Sequence, residues 1–311
     1  MSNATSIPGP VGKLRAYWEL GKPRLSALAV FAVVAGAYMA WPSTSTHPPL
    51  DLLLLTTLGT FCAAVGANAL NMYRERHLDP LMVRTQRRPL PTGRLQPGEV
   101  LTFGIGIAAL GVLLVLFGAA PLEDDGSRHI GTSNWVAAAL SAGIVASYVL
   151  VYTPMKVITP LNTLVGAIPG ALPPVVGHAA VTGQLAMPQL VLFAIVFCWQ
   201  IPHFLAIAWR YRDDYARAGM RMLPVVDPTG HRTAITMLLY VAGLGIASMV
   251  PYITQMTRDR YVVIAVLLNV LFCVPTVFAA LTRRDKAMRM TFLMSIVYLP
   301  LLLSAMVWDR R

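Results

Sequence analysis

Nine apolar stretches, at residues 25–42, 50–71, 98–119, 134–153, 158–181, 187–209, 233–253, 260–281 and 288–308, decide what this chain can fold into. Each approaches the roughly 20 helical residues that cross about 30 Å of hydrocarbon. In lipid no water satisfies a bare N–H or C=O, so such a segment spans as a helix with its own hydrogen bonds. Composition agrees: 56% of residues are hydrophobic, 13% are charged and the mean hydropathy is +0.61, whereas a soluble domain carries about 25% charged residues. The expected fold is all-α, a polytopic membrane protein of about nine transmembrane helices bundled around a central cavity. Residues 1–311 are expected to form a single transmembrane domain, with 1–20 as a cytoplasmic N-terminal segment. Pro160, Pro169, Pro173 and Pro174 interrupt the fifth stretch, which predicts a bent helix lining a cavity, where neighbouring groups satisfy the freed carbonyls.

Charge sets the orientation. The chain has 25 Lys and Arg against 14 Asp and Glu. On a soluble protein that excess would suggest nucleic acid; here the cations sit in short loops, so the expected partner is the lipid bilayer and no nucleic acid. With nine spans, twenty of the cations fall on one side and five on the other. The positive-inside rule places the richer side, and the N-terminus, in the cytoplasm. Cys62, Cys198 and Cys273 lie in apolar runs as small hydrophobes, with neither disulfide nor zinc spacing. The first residues lack the pattern of a cleaved signal or transit peptide, so neither is expected.

Few carboxylates approach membrane depth, and those few are grouped. Asn71, Glu75 and Asp79 close the second stretch at intervals of four, one stripe if the helix continues. Asp213 and Asp214 close the sixth, which arrives at the same face. Hard oxygens beside arginines suit Mg²⁺ and a diphosphate: the ion takes carboxylates plus phosphate oxygens, and arginine grips phosphate bidentately. Arg84, Thr85, Arg87 and Arg88 follow the first group directly, and Lys156 lies on the same side. The bland alternative is a solvated helix end with acids paired to local arginines. His203 and His178 lie within apolar stretches; each is either a helix-to-helix hydrogen-bonder or a contact to a haem-like substrate, by axial ligation or propionate pairing.

These motifs resemble those of the UbiA-type intramembrane prenyltransferases, and more narrowly the protoheme IX farnesyltransferases (heme O synthases). The matching residues are Lys22-Pro23-Arg24, then Asn71, Glu75, Asp79, Met82, Arg84, Thr85 and Arg88-Pro-Leu-Pro91. They continue with Tyr152 to Lys156, Gly170 to Pro174, Pro202-His-Phe204, Asp214 to Gly219 and Met222 to Val225. The resemblance runs from about residue 20 to 300. It implies transfer of farnesyl from farnesyl diphosphate to a vinyl group of heme B, with Mg²⁺ as cofactor and heme O and pyrophosphate as products. It also implies a multi-pass protein of the cell inner membrane, with a downstream haem-modifying enzyme as a further partner. By this resemblance Asp79 and Asp214 are the expected catalytic acids, and Asn71, Glu75, Asp79, Asp213 and Asp214 the metal set. Met72 and Glu75 stand where the wider superfamily has aspartates, and Arg210 stands four before Asp214 in place of an acid, so one metal on the second helix, completed by Asp213 or Asp214, is as open a reading as a two-metal site. The rival readings are a prenyltransferase acting on a quinone or chlorophyll precursor, and a cation-coupled transporter, whose site would lie nearer the midplane.

Overall fold

The computed structural model describes residues 10–42, 47–118 and 134–311. A surface helix α1 (Pro10–Leu20) precedes α2 (Pro23–Ala40), α3 (Leu50–Glu75) and α4 (Pro97–Gly118). Then come α5 (Trp135–Ile158), α6 (Asn162–Thr182) and α7 (Met187–Arg210). The short α8 (Arg212–Arg217) and α9 (Leu223–Val226) lead to α10 (His231–Ile253), α11 (Asp259–Thr282) and α12 (Asp285–Trp308). Proline opens α2 and α4, at the helix position where its missing N–H is harmless. Among the described residues eight helices are long and apolar enough to cross a membrane, and Ser26–Ala40 within α2 is a shorter apolar one. The chain is therefore a multi-pass membrane protein; each of the nine expected stretches is helical with ends shifted by a few residues, and eight of them meet the length and apolarity of a span. The helix α1 falls in the segment expected only to be polar and cytoplasmic; Ala16 and Leu20 are buried, and Lys13 bonds Glu99 at 2.7 Å.

Lipid gives helices no hydrophobic reason to associate, so close packing does the work, and small residues permit it. Along α3 and α4 the glycines meet backbone. A β-carbon on Gly111 would lie 2.4 Å from Ala63 N, and one on Gly66 would lie 2.7 Å from Gly104 O. The same holds between α2 and α6: a β-carbon on Gly36 would lie 2.0 Å from Pro174 O, and one on Gly177 would lie 1.9 Å from Val33 O. The helices form a ring in which α2 to α6 make one side, α7 and α10 to α12 the other, and α12 closes against α2. Large apolar residues such as Leu58, Ile105, Leu267 and Leu271 point outward, as lipid-facing side chains should.

Two irregularities bear on the site. The proline-rich α6 is interrupted at Leu172, between Asn162–Ala171 and Pro173–Thr182, where Pro173 and Pro174 bring no backbone N–H to the ladder. In α5 the turn Ser147–Tyr152 is wound as a π-helix, a defect that recurs at functional sites. The fourth span runs through it to Ile158, beyond its expected end at 153.

Two outcomes are expected. Gly177→Ala should lower the thermal unfolding midpoint in detergent, because overpacking a fixed backbone contact costs about 1–3 kcal/mol. Gly106→Ala, where a β-carbon meets nothing within 4 Å, should not; equal midpoints would refute the backbone contact. In a background lacking the native cysteines, Arg87→Cys and Gln184→Cys should be labelled from opposite sides of the membrane. Labelling from one side would overturn the topology.

Candidate active site

The helix α3 stops at Glu75, so Asn71 and Glu75 share a helical face while Asp79 does not extend it. Pro80 explains the stop, since its ring cannot follow a helical turn. Asp79 instead opens a single 3₁₀ turn, Asp79–Leu81. The guanidinium of Arg88 reunites the acids: its Nη1 lies 2.7 Å from Asp79 Oδ1 and 3.7 Å from Glu75 Oε2. From α5, Lys156 Nζ donates to Glu75 Oε1 at 2.5 Å. Asp79 is fully buried and its Oδ2 has no hydrogen-bond partner. That burial, only partly offset by Arg88, pushes the Asp79 carboxyl above its ordinary range.

The π turn supplies the next contact. The hydroxyl of Thr153 donates to Tyr148 O at 2.8 Å, so its oxygen accepts from Asn71 Nδ2 at 3.1 Å. The amide of Asn71 is thereby oriented, and its Oδ1 has no hydrogen-bond partner among the described residues. Lys22 completes the group from the turn before α2. Its backbone is left-handed, φ 43 and ψ 63, a strained conformation for a side-chain-bearing residue ahead of proline. Ser26 Oγ holds that turn by donating to Gly21 O at 2.8 Å. Burial, reinforced by Arg88, pulls the Lys22 ammonium down to about 7, against the opposite pull of Glu75 and Asp79.

Asp214 arrives at the same end, but as a clamp. Its carboxylate accepts from the backbone N–H of Val83 at 3.4 Å and of Arg84 at 3.2 Å, and it pairs with Arg217. It thus fixes the segment that follows Asp79. Arg84 turns to Tyr215, donating to its hydroxyl at 2.8 Å with the guanidinium over the ring. The hydroxyl of buried Thr85 donates to Asp79 O at 2.8 Å, so it braces the turn.

Other expected residues stand apart. Asp213 is exposed and lines a shallow pocket with Trp209, Arg212 and Asp227, because adjacent helical residues point about 100° apart. Arg87 is exposed, and its carbonyl accepts from Arg94. His178 lies at the far end of α6, where its Nδ1 bonds Gln189 Nε2 at 2.9 Å. His203 lies inside α7, its Nδ1 2.7 Å from Ser295 Oγ and its ring stacked on Trp199 at 5.0 Å.

The five expected metal ligands are therefore not one cluster. Among the described residues no group of three or more His, Cys, Asp or Glu is placed to hold a metal. Lys156 and Arg88 occupy Glu75, and backbone amides occupy Asp214. The free Asp79 Oδ2 and the oriented Asn71 Oδ1 are hard oxygens that fit Mg²⁺. Reasoning from sequence passed over Thr153 and the site placement of Lys22. The Lys-Pro-Arg motif pointed at Lys22, but nothing in a sequence reports a π turn.

A family model, the UbiA prenyltransferase family, matches residues 29–299. A protoheme IX farnesyltransferase of Solibacter usitatus is 41% identical over 96% of this chain and 99% of its own. One of Aquifex aeolicus is 35% identical over 95% of each. Among solved structures, one described for digeranylgeranylglyceryl phosphate synthase superposes with a TM-score of 0.72 at 17% identity, covering 96% of this chain and 98% of that one. A UbiA homologue of Archaeoglobus fulgidus bound to GPP and Mg²⁺ superposes with a TM-score of 0.63 at 16% identity, covering 94% and 99%. The fold is shared with these structures, the sequence pattern with the farnesyltransferases, and the chain belongs to the UbiA prenyltransferase family.

Proposed function

We infer that this chain transfers the farnesyl group of farnesyl diphosphate to a vinyl group of heme B, giving heme O and pyrophosphate. The observation that carries this reading is the ionic cluster at one membrane face. There Glu75 and Asp79 pair with Arg88 and Lys156, with Lys22 near enough to act on them electrostatically, in a chain 41% identical to a protoheme IX farnesyltransferase. Residues 1–311 act as one domain in the cell inner membrane, with the cluster and the N-terminus on the cytoplasmic side, as the loop cations require. Heme O then passes to a downstream haem-modifying enzyme.

Asp79 Oδ2 and Asn71 Oδ1 are the oxygens that would hold Mg²⁺. Bound there, the ion supplies positive charge to the leaving diphosphate. Arg88 keeps its Nε and Nη2 free of hydrogen bonds among the described residues, so it grips Asp79 and a phosphate oxygen together. Lys22 and Lys156 add charge where the leaving group gains it. Breakage of the C1–O bond sends its electron pair to the diphosphate, and the allylic cation adds to the vinyl carbon. Water quenches the resulting cation and loses a proton, leaving a hydroxyl. The apolar helix walls keep water from the first cation. Asp214 acts through the backbone it clamps, holding the segment from Met82 to Arg84 against α8.

The test is a detergent assay with heme B, farnesyl diphosphate and Mg²⁺, read by product mass; no heme O would sink the reading. Asp79→Asn should cut kcat about a hundredfold and shift the Mg²⁺ dependence to higher concentration. Asp214→Asn should lower activity without moving that dependence, since it holds a loop; an equal shift would make it a metal ligand. Arg88→Ala and Lys156→Ala should raise KM for farnesyl diphosphate, the sign of lost ground-state grip. Unchanged kinetics in both would place the diphosphate elsewhere.

A further inference from the structure

Within the membrane region, His203 of α7 meets α12, its Nδ1 2.7 Å from Ser295 Oγ. A second contact decides which atom owns the shared hydrogen. Ser295 Oγ lies 2.6 Å from the carbonyl oxygen of Phe292. Two oxygens approach so closely only with a hydrogen between them, and a carbonyl has none, so the single serine proton is committed there. Toward His203 the serine therefore accepts, and Nδ1 carries the hydrogen. No carboxylate partners the ring among the described residues, and an unpaired imidazolium is costly at membrane depth. The ring is neutral, with a lone pair on Nε2, which has no hydrogen-bond partner among the described residues.

The arrangement is held on several sides. Trp199 Nε1 donates to the Ser295 carbonyl at 2.8 Å, and its ring stacks on the imidazole with 22° between planes. Phe292 flanks the ring at 5.2 Å and Phe204 at 5.6 Å. The imidazole is thus fixed in tautomer and in plane, among aromatic surfaces.

We propose that His203 Nε2 is an axial ligand to the iron of the porphyrin substrate, and that Ser295 is the positioning residue that fixes its tautomer. The proposal rests on the porphyrin-prenylating reading above and narrows it. Pairing with a propionate would require a donor at Nε2, and this tautomer presents an acceptor. A histidine that ligates a metal typically donates its other nitrogen to a fixed acceptor, which orients the ring and raises its basicity. Seven residues separate His203 from the end of α7 at Arg210, about 10 Å of helix. The iron would then lie inside the apolar layer, clear of the ionic cluster.

The experiment uses the full chain in detergent with ferrous haem b, followed by resonance Raman spectroscopy. Wild type should show an iron–histidine stretching band, retained in His178→Ala and lost in His203→Ala and His203→Gln. Ser295→Ala should keep the band at lower frequency and bind haem roughly tenfold more weakly, the usual scale for an outer-shell partner. Ser295→Thr, which keeps the hydroxyl, should restore the wild-type frequency. No band in wild type, or a band surviving His203→Gln, would overturn the ligation even if an alanine variant failed to fold. An unchanged frequency in Ser295→Ala would overturn the role of the serine. Turnover without the band defeats this proposal and leaves the farnesyltransferase reading standing, whereas the band without turnover does the reverse.

Discussion

Hydrocarbon cannot solvate a charge, and the arrangement of this protein's polar groups follows from that. At the membrane face where α3 and α5 end, two carboxylates, Glu75 and Asp79, pair with Arg88 and Lys156, with the Lys22 side chain close enough to act on both electrostatically. Such a group rarely stabilises a fold on balance, because desolvating its members costs about what their attraction returns. Its geometry suggests another role. The cations outnumber the acids, and among the described residues two oxygens have no partner and Arg88 has unused N–H groups. A cluster incomplete in this way is completed by an anion together with a cation, which is what a metal-bound diphosphate is.

The rest of the fold serves to bring five elements to that point. The glycine contacts between α3 and α4 and between α2 and α6 set helix separation at backbone distance, so small displacements are resisted. Thr153, directly after the π turn in α5, bonds Asn71, and Lys22 sits in a strained left-handed turn at the start of α2. Both irregularities lie beside the cluster, where strain that the surrounding packing enforces is commonly found. Asp214 contributes from the other half of the ring by seizing the backbone after Asp79.

Much of this was legible in the sequence. Apolar length gave the spans, and loop cations gave their alternation; the paired ends confirm the alternation, with Lys156, Glu75, Asp214 and Arg84 at one face and His178 with Gln189 at the other. The four-residue spacing of Asn71, Glu75 and Asp79 groups residues that the structure also brings near one another, but by a different route. The helix ends before Asp79, and Arg88 rather than helical periodicity brings the acids together. Adjacency in sequence makes Asp213 and Asp214 look equivalent, whereas Asp214 clamps backbone amides and Asp213 faces solvent. Periodicity places a residue on a face but says nothing of which backbone amides wait there. The aromatic setting of His203 was equally invisible, since Ser295 is 92 positions away.

Depth along the bundle then separates two kinds of chemistry. Groups that must stay charged gather at the membrane surface, where water and counter-ions limit the cost of an empty site. Groups that must stay neutral, such as His203 with its committed Nδ1 hydrogen, lie deeper among Trp199, Phe204 and Phe292. A substrate with an ionic head and an isoprenoid tail partitions along the same axis, head to the cations and tail to the lipid-facing interior. A flat acceptor with apolar faces would favour the deeper layer by the same preference, with any ionised edge toward the surface. The two substrates are thus sorted by solvation before any specific contact forms, and the side chains have only to fix the last few ångströms between a leaving oxygen and a vinyl carbon.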